Sequence, residues 1–272
     1  MNETRHFRRP MKACALFFAI VIALSLLSDL GRELEGSSST VALQRTTDFL
    51  EMWSVGLAGL ASEWLAYRSW RRLGLARIGP ARYLSFGTLA PIVCWSSVYV
   101  IAWTAGLGSF RGIPVLLHGV AAAGAYAPLR FAAAVGEEIG WRGALTPNLG
   151  ALIGPRSAGL ACGFAWAAWH YADILFFGYN VGTPAAYEIG CFTVSLVGTS
   201  VFLAWIRLAS ASVWPSTIFH GVSNSIVYSV FERATLGDSR TELFTGEFGA
   251  GLAAAGVVLG VIGWRNLANA KG

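Results

Sequence analysis

Three short constellations in this chain carry the residue types that hydrolysis needs. Glu137-Glu138-x-x-x-Arg142 sets two carboxylates and a guanidinium in one apolar stretch, Trp166-x-x-x-His170 sets an imidazole in a second, and His220-x-x-x-Asn224 sets an imidazole and an amide in a third. Residues four apart share one face of a helix, so each constellation presents its polar groups together. Glu138 shares such a face with Arg142, where a charge-assisted hydrogen bond offsets their burial. Glu137 points about 100° away and is the carboxylate left for chemistry. A carboxylate, two imidazoles and an amide converging between helices supply a base for water and donors for an oxyanion. Plainer readings exist. A lone histidine in an apolar helix is more often a packing residue, and His6 and His118 take that reading. His220 with Asn224 can clamp two helices, and Glu138 with Arg142 can be structural. Those readings leave Glu137 without a purpose.

The elements that must hold these groups are membrane helices. Of 272 residues, 55% are hydrophobic and 13% charged, too apolar for a soluble domain of this length. The expected fold is all-α and polytopic, about eight transmembrane helices in one integral membrane domain spanning residues 1–272. Charges at bilayer depth are costly and mark working sites, which is why Glu137, Glu138 and Arg142 stand out. A net charge of +5 in a soluble chain would suit nucleic acid, but here Lys and Arg flank apolar segments and act as topology determinants. No nucleic-acid role follows. Cys14, Cys94, Cys162 and Cys191 sit in apolar stretches without a CxxC pair, as small core residues do.

In chain order, Arg5, Arg8, Arg9 and Lys12 precede an apolar run, 13–27, read as an anchor rather than a cleaved signal. An external loop is expected over 29–51, then a span over 49–67 with Glu51 and Glu63 near the interfaces. The basic loop of Arg68, Arg71, Arg72, Arg77 and Arg82 belongs on the cytoplasmic side with both termini, and Ser38 outside. A third span covers 83–110. Residues 112–145 would make about 50 Å of helix, more than one bilayer crossing, and are read as one crossing kinked at Pro128. A polar break at Thr146-Pro147-Asn148 leads to a short interfacial piece. Spans at 158–176, up to Ile206 with Arg207 at its cytoplasmic end, 213–230 and 249–264 complete the expectation.

The order and spacing of the three motifs resemble the CPBP family, the CAAX proteases and bacteriocin-processing enzymes also called Abi, over about residues 115–230. The resemblance implies an intramembrane endopeptidase with its site in a cavity open toward the cytoplasm. Carried over by position, Glu137 and His170 activate water, His220 and Asn224 stabilise the oxyanion, and Glu138 and Arg142 support them. The second motif usually begins with Phe. Here position 166 is Trp, a change that bears on the pocket wall and substrate fit.

The family is commonly labelled metalloprotease, and Glu137, His170 and His220 are three candidate zinc ligands. There is no HExxH, so spacing does not force a metal site, and a metal-free water explains the same residues. The expected partners are the bilayer, that of the plasma membrane, and a membrane-bound or lipidated peptide or protein substrate. The competing reading is a non-proteolytic scaffold or immunity-type partner. A transporter predicts paired half-helices in two similar halves, which the sequence lacks.

Overall fold

The computed structural model describes residues 3–35 and 41–269. The polar tract 36–40, with Ser38, and Lys271 lie outside the described residues. Within them the chain is helical almost throughout, as the sequence requires. The exception is a two-residue antiparallel pairing of β1 (Ser109–Phe110) with β2 (Thr235–Leu236), which ties two loops together.

Helices α1 (Glu3–Glu35) and α2 (Val41–Tyr67) pack on one another, and the expected loop over 29–51 is helical on both sides of the undescribed tract. Helix α3 spans Ala81–Thr104, and α4 (Ile113–Glu138) runs through a π-helical stretch, Ile139–Leu145, directly into α5 (Thr146–Ile153). There is thus no break at Thr146-Pro147-Asn148. One 41-residue helix runs from Ile113 to Ile153, about 60 Å at 1.5 Å per residue. Pro147 follows directly on the π-helical stretch, whose widened turn accommodates a residue without an N–H, so the helix continues. The wider turn is secured by Thr146, whose hydroxyl donates to the Trp141 carbonyl at 2.8 Å.

Helix α6 (Pro155–Trp169) stops just before His170, and α7 (Tyr171–Phe176) begins just after it. The single span expected over 158–176 is therefore two helices with His170 at their junction. Helices α8 (Ala185–Ser210), α9 (Trp214–Ile226, with a π-helical turn Val227–Phe231), α10 (Glu232–Ala234), α11 (Ser239–Phe244) and α12 (Ala250–Asn269) follow.

Among the described residues five helices are long and apolar enough to cross a membrane: Phe7–Leu34, Ala81–Thr104, Ile113–Ile153, Ala185–Ser210 and Ala250–Ala268. The sequence led us to expect about eight. The difference lies in α2, α6 and α9, which carry Asp48, Glu51 and Glu63, end at His170, and hold His220 and Asn224. Helices that build a polar site give up length or apolarity to do so.

Glycine sets the closest of these contacts. Gly136 and Gly140 flank the glutamate pair on the face turned toward α2, where a Cβ on Gly140 would lie 2.3 Å from the Val55 carbonyl oxygen, and one on Gly56 of α2 would lie 2.6 Å from that of Gly136. Small residues at this spacing let two membrane helices touch backbone to backbone. Glu51 and Glu63, expected near the interfaces, are instead buried on α2. Glu51 pairs with Arg32, and Glu63 accepts from the Asn148 amide at 2.5 Å. Arg207 is likewise no surface residue. It is 4% exposed and donates to the carbonyls of Arg142 (3.0 Å) and Arg72 (2.6 Å), clamping the basic loop onto the π turn.

Candidate active site

The motif helix delivers its two glutamates to different surroundings. Glu138 is fully buried, and its Oε1 accepts from Arg142 Nη1 at 2.8 Å and lies 3.0 Å from His220 Nδ1. The Arg142 guanidinium is also fully buried and lies 4.1 Å from the Trp166 ring centre, a cation–π contact with α6. The sequence-predicted Glu138–Arg142 pair is present, then, and it has a third member in His220.

Glu137 turns to a cavity of about 410 Å³, a size suited to a small segment of substrate. Its Oε2 accepts from the Trp166 indole N–H at 2.8 Å, and its Oε1 lies 3.8 Å from His220 Nε2. Each nitrogen of His220 therefore faces a carboxylate. Position 166 does more than form a wall, because its indole N–H, which phenylalanine lacks, fixes one oxygen of Glu137.

The expected partnership of Glu137 with His170 is not made directly. His170 lines the same cavity, but no hydrogen bond or ion pair joins it to Glu137 among the described residues. Its neighbours are aromatic: the rings of Trp169, Phe192 and Tyr179 lie 4.6, 5.2 and 5.7 Å away between centres, and Asp173 Oδ2 is 4.0 Å from Nδ1. Asn224 also lines the cavity. Its backbone carbonyl takes a hydrogen bond from Arg130, while its side-chain amide makes none among the described residues and stays available to a substrate.

Three cavity residues escaped the motif reading. Tyr179 and Tyr228 both donate to the Glu247 carboxylate, and their hydroxyls lie 3.1 Å apart. Burial pushes the Glu247 carboxyl above the usual carboxylate range. Tyr228 stands one turn beyond Asn224 on the face that carries His220, a spacing visible in the sequence. Glu247 had no such signal, since it follows a mixed-charge loop read as external. Arg32, which also lines the cavity, pairs with Glu51 and with Asp173 (2.6 Å), bringing α1, α2 and α7 together.

The fit to zinc can be tested on the donors. Glu137, His170 and His220 do not come together with ligand atoms within 4.8 Å of one another. Among the described residues the set that does is Asp29, Glu51 and Asp173, and the Arg32 guanidinium already pairs with all three. The three sequence-predicted ligands do not fit a shared ion in this arrangement.

An all-helical polytopic membrane fold enclosing an acid–imidazole cavity defines a class of protein, a membrane-embedded one with the parts of a hydrolase. Residues 120–226 match the family model described as Type II CAAX prenyl endopeptidase Rce1-like. That stretch contains all three motifs, and the resemblance drawn from them is borne out there. Residues 120–226 are thus similar to intramembrane endopeptidases of the CAAX type. No curated protein matches the chain. Arg32, Tyr228 and Glu247 lie outside the matched residues.

Proposed function

We propose that this protein is an intramembrane endopeptidase whose working core is about residues 115–230, and that it hydrolyses a peptide bond in the cavity lined by Glu137, His170, His220 and Asn224. One observation carries the reading. Glu137 has one oxygen held by Trp166 and the other facing both the cavity and His220 Nε2 at 3.8 Å. Glu138 does not line that cavity, so of the two adjacent carboxylates Glu137 is the one whose second oxygen a water and a substrate carbonyl can reach.

In the proposed reaction a water lodges between Glu137 Oε1 and the substrate carbonyl. Glu137 takes its proton as the water oxygen bonds to the carbonyl carbon. The oxyanion so formed meets two donors, the Asn224 amide and the Nε2–H of protonated His220, whose Nδ1–H is already directed at Glu138. Collapse breaks the carbon–nitrogen bond, and the proton held by Glu137 passes to the leaving amine. His170, packed among Trp169, Tyr179 and Phe192, lines the same cavity and orients the water by accepting a hydrogen bond from its other O–H.

The substrate class is a membrane-bound or lipidated peptide or protein, supported by the similarity to CAAX endopeptidases over the core. We place the protein in the plasma membrane, and an orientation with both termini cytoplasmic is supported by the Lys/Arg distribution. The test compares membrane proteomes from cells with wild-type protein and with Glu137→Ala. A substrate processed only by the wild type supports the enzyme, provided that the variant is present at the same level and melts at the same temperature. Processing by well-folded Glu137→Ala would overturn the mechanism. A partner-dependent phenotype that survives the substitution, with nothing cleaved, would favour the scaffold.

A further inference from the structure

We propose that the groove between α6, α8 and α12 is a binding site for an anionic phospholipid, with one acyl chain along the groove and the headgroup phosphate at Arg265 and Arg156. The groove, about 390 Å³, is distinct from the catalytic cavity. Helix α8 stands between the two, giving Phe192 and Ser195 to the cavity and Val194 and Val197 to the groove. The proposal does not depend on the protease reading.

The concavity is built rather than incidental. Its walls come from Leu160 and Phe164 of α6 and from Val257 and Val261 of α12. Its floor is glycine, since Gly198 and Gly260 meet there, and a Cβ on Gly260 would lie 2.9 Å from Gly198 Cα while one on Gly198 would lie 2.1 Å from the Gly256 carbonyl oxygen. No side chain larger than hydrogen fits at either position without moving a helix, and the depth of the groove follows. From Val257 to Arg265 it runs about 12 Å at 1.5 Å per residue, long enough for a stretch of acyl chain.

One end of this apolar trough is cationic. Arg265 is exposed and lines the groove. Arg156, at the start of α6, donates from Nε to the Trp264 carbonyl at 3.1 Å and lies 4.9 Å from the Trp264 ring centre. That contact brings a second guanidinium to the same end. No carboxylate is among the groove's lining residues. A tryptophan beside two arginines is the side-chain set found at headgroup level, and basic pockets between membrane helices hold anionic headgroups. An apolar face alone would take any chain. The two cations, with no acid to neutralise them, select the phosphate-bearing, net-negative lipid.

The experiment uses the full chain purified in detergent, offered phosphatidylglycerol or phosphatidylcholine with the same acyl chains, with bound lipid read by native mass spectrometry. The wild type is expected to retain phosphatidylglycerol over phosphatidylcholine. Arg265→Ala should lower that preference about fivefold, the worth of one basic residue at a membrane surface, and Arg265→Lys should keep it. Val261→Trp fills the trough and should abolish retention while the protein still elutes and melts as the wild type does. Equal retention of the two lipids, or retention of phosphatidylglycerol by Val261→Trp at the wild-type level, would overturn the proposal. So would a wild-type dimer that Val261→Trp splits, which would give the groove to a second copy of the chain.

Discussion

Glu137 and Glu138 are neighbours in sequence, yet their surroundings divide the site into a closed half and an open half. On the closed side Glu138 is enclosed by Arg142 and His220, and Arg207 clamps the Arg142 carbonyl from behind. On the open side Glu137 shares the cavity with His170, Asn224, Tyr179, Tyr228 and Glu247. The difference follows from helix geometry. Adjacent residues diverge by about 100° around the axis, so a single helix can give one carboxylate to a buried ion pair and the next to solvent-sized space. The closed half holds the imidazole that the open half uses, and His220 belongs to both.

The largest expected effect breaks the open half alone. Glu137→Gln should lower turnover by about 10²–10⁴, the usual worth of a positioned general base, with stability near that of the wild type. The amide can still accept from the Trp166 indole, so the pocket keeps its shape. Turnover and melting temperature measured on the same preparation check it, and a variant that loses stability as much as activity would place Glu137 in the closed half. Chelator should leave the wild-type rate nearly unchanged, since the donors do not converge on one ion. A rate lost to chelator and restored by added zinc would contradict the metal-free reading.

The reverse experiment breaks the closed half. Arg142→Ala leaves Glu138 buried without its cation, at a cost of about 3–5 kcal/mol. The drop should appear as a lower melting temperature in detergent, larger than for any open-half variant. Equal melting of Arg142→Ala and Glu137→Gln would deny that the halves differ. Next in size, Asn224→Ala should lower turnover by about 10²–10³ with the fold intact, as removal of one oxyanion donor does. In the proposed mechanism His220 serves the same developing charge, so adding His220→Ala should cost less than the product of the two single effects.

The two halves also differed in how far the sequence revealed them. The Glu138–Arg142 pair was legible because both members lie on one helix, four residues apart. So was the membership of His170, His220 and Asn224, because polar residues in apolar helices are few. What the sequence could not carry were pairings between helices. It set Glu137 and His170 on one water but did not show that His220 also faces Glu137, a matter of how α9 docks on α4. Arg207 looked like a helix end because basic residues at apolar boundaries usually are, yet two backbone carbonyls draw it inward. Glu51 was misread for the same reason, its partner Arg32 lying on another helix. The glycine spacing at Gly136 and Gly140 was a readable signal of close approach by α2, whereas Thr146-Pro147 reads as a break because nothing in the residue types announces the π-helical stretch that carries the helix through it.

Trp166 offers the finest test, because it touches both halves at once. Its indole N–H holds Glu137, its ring lies under the Arg142 guanidinium, and the His220 ring centre is 5.4 Å away. Trp166→Phe keeps an aromatic face for Arg142 and removes only the donor to Glu137. The closed half should therefore survive, with a melting temperature well above that of Arg142→Ala. In the open half Glu137 loses a hydrogen bond to a charged group, worth about 1.5–3 kcal/mol when fully expressed. The aromatic ring still limits where the carboxylate can turn, so the lower end, about tenfold in kcat, is the expected loss. KM should hardly move if Trp166 acts by aiming Glu137 at the water, since that aim matters in the transition state. Trp166→Leu removes the ring as well and should lower both stability and kcat. If Trp166→Phe instead raised KM with kcat intact, the residue would be a substrate contact, and its bond to Glu137 would be incidental to catalysis.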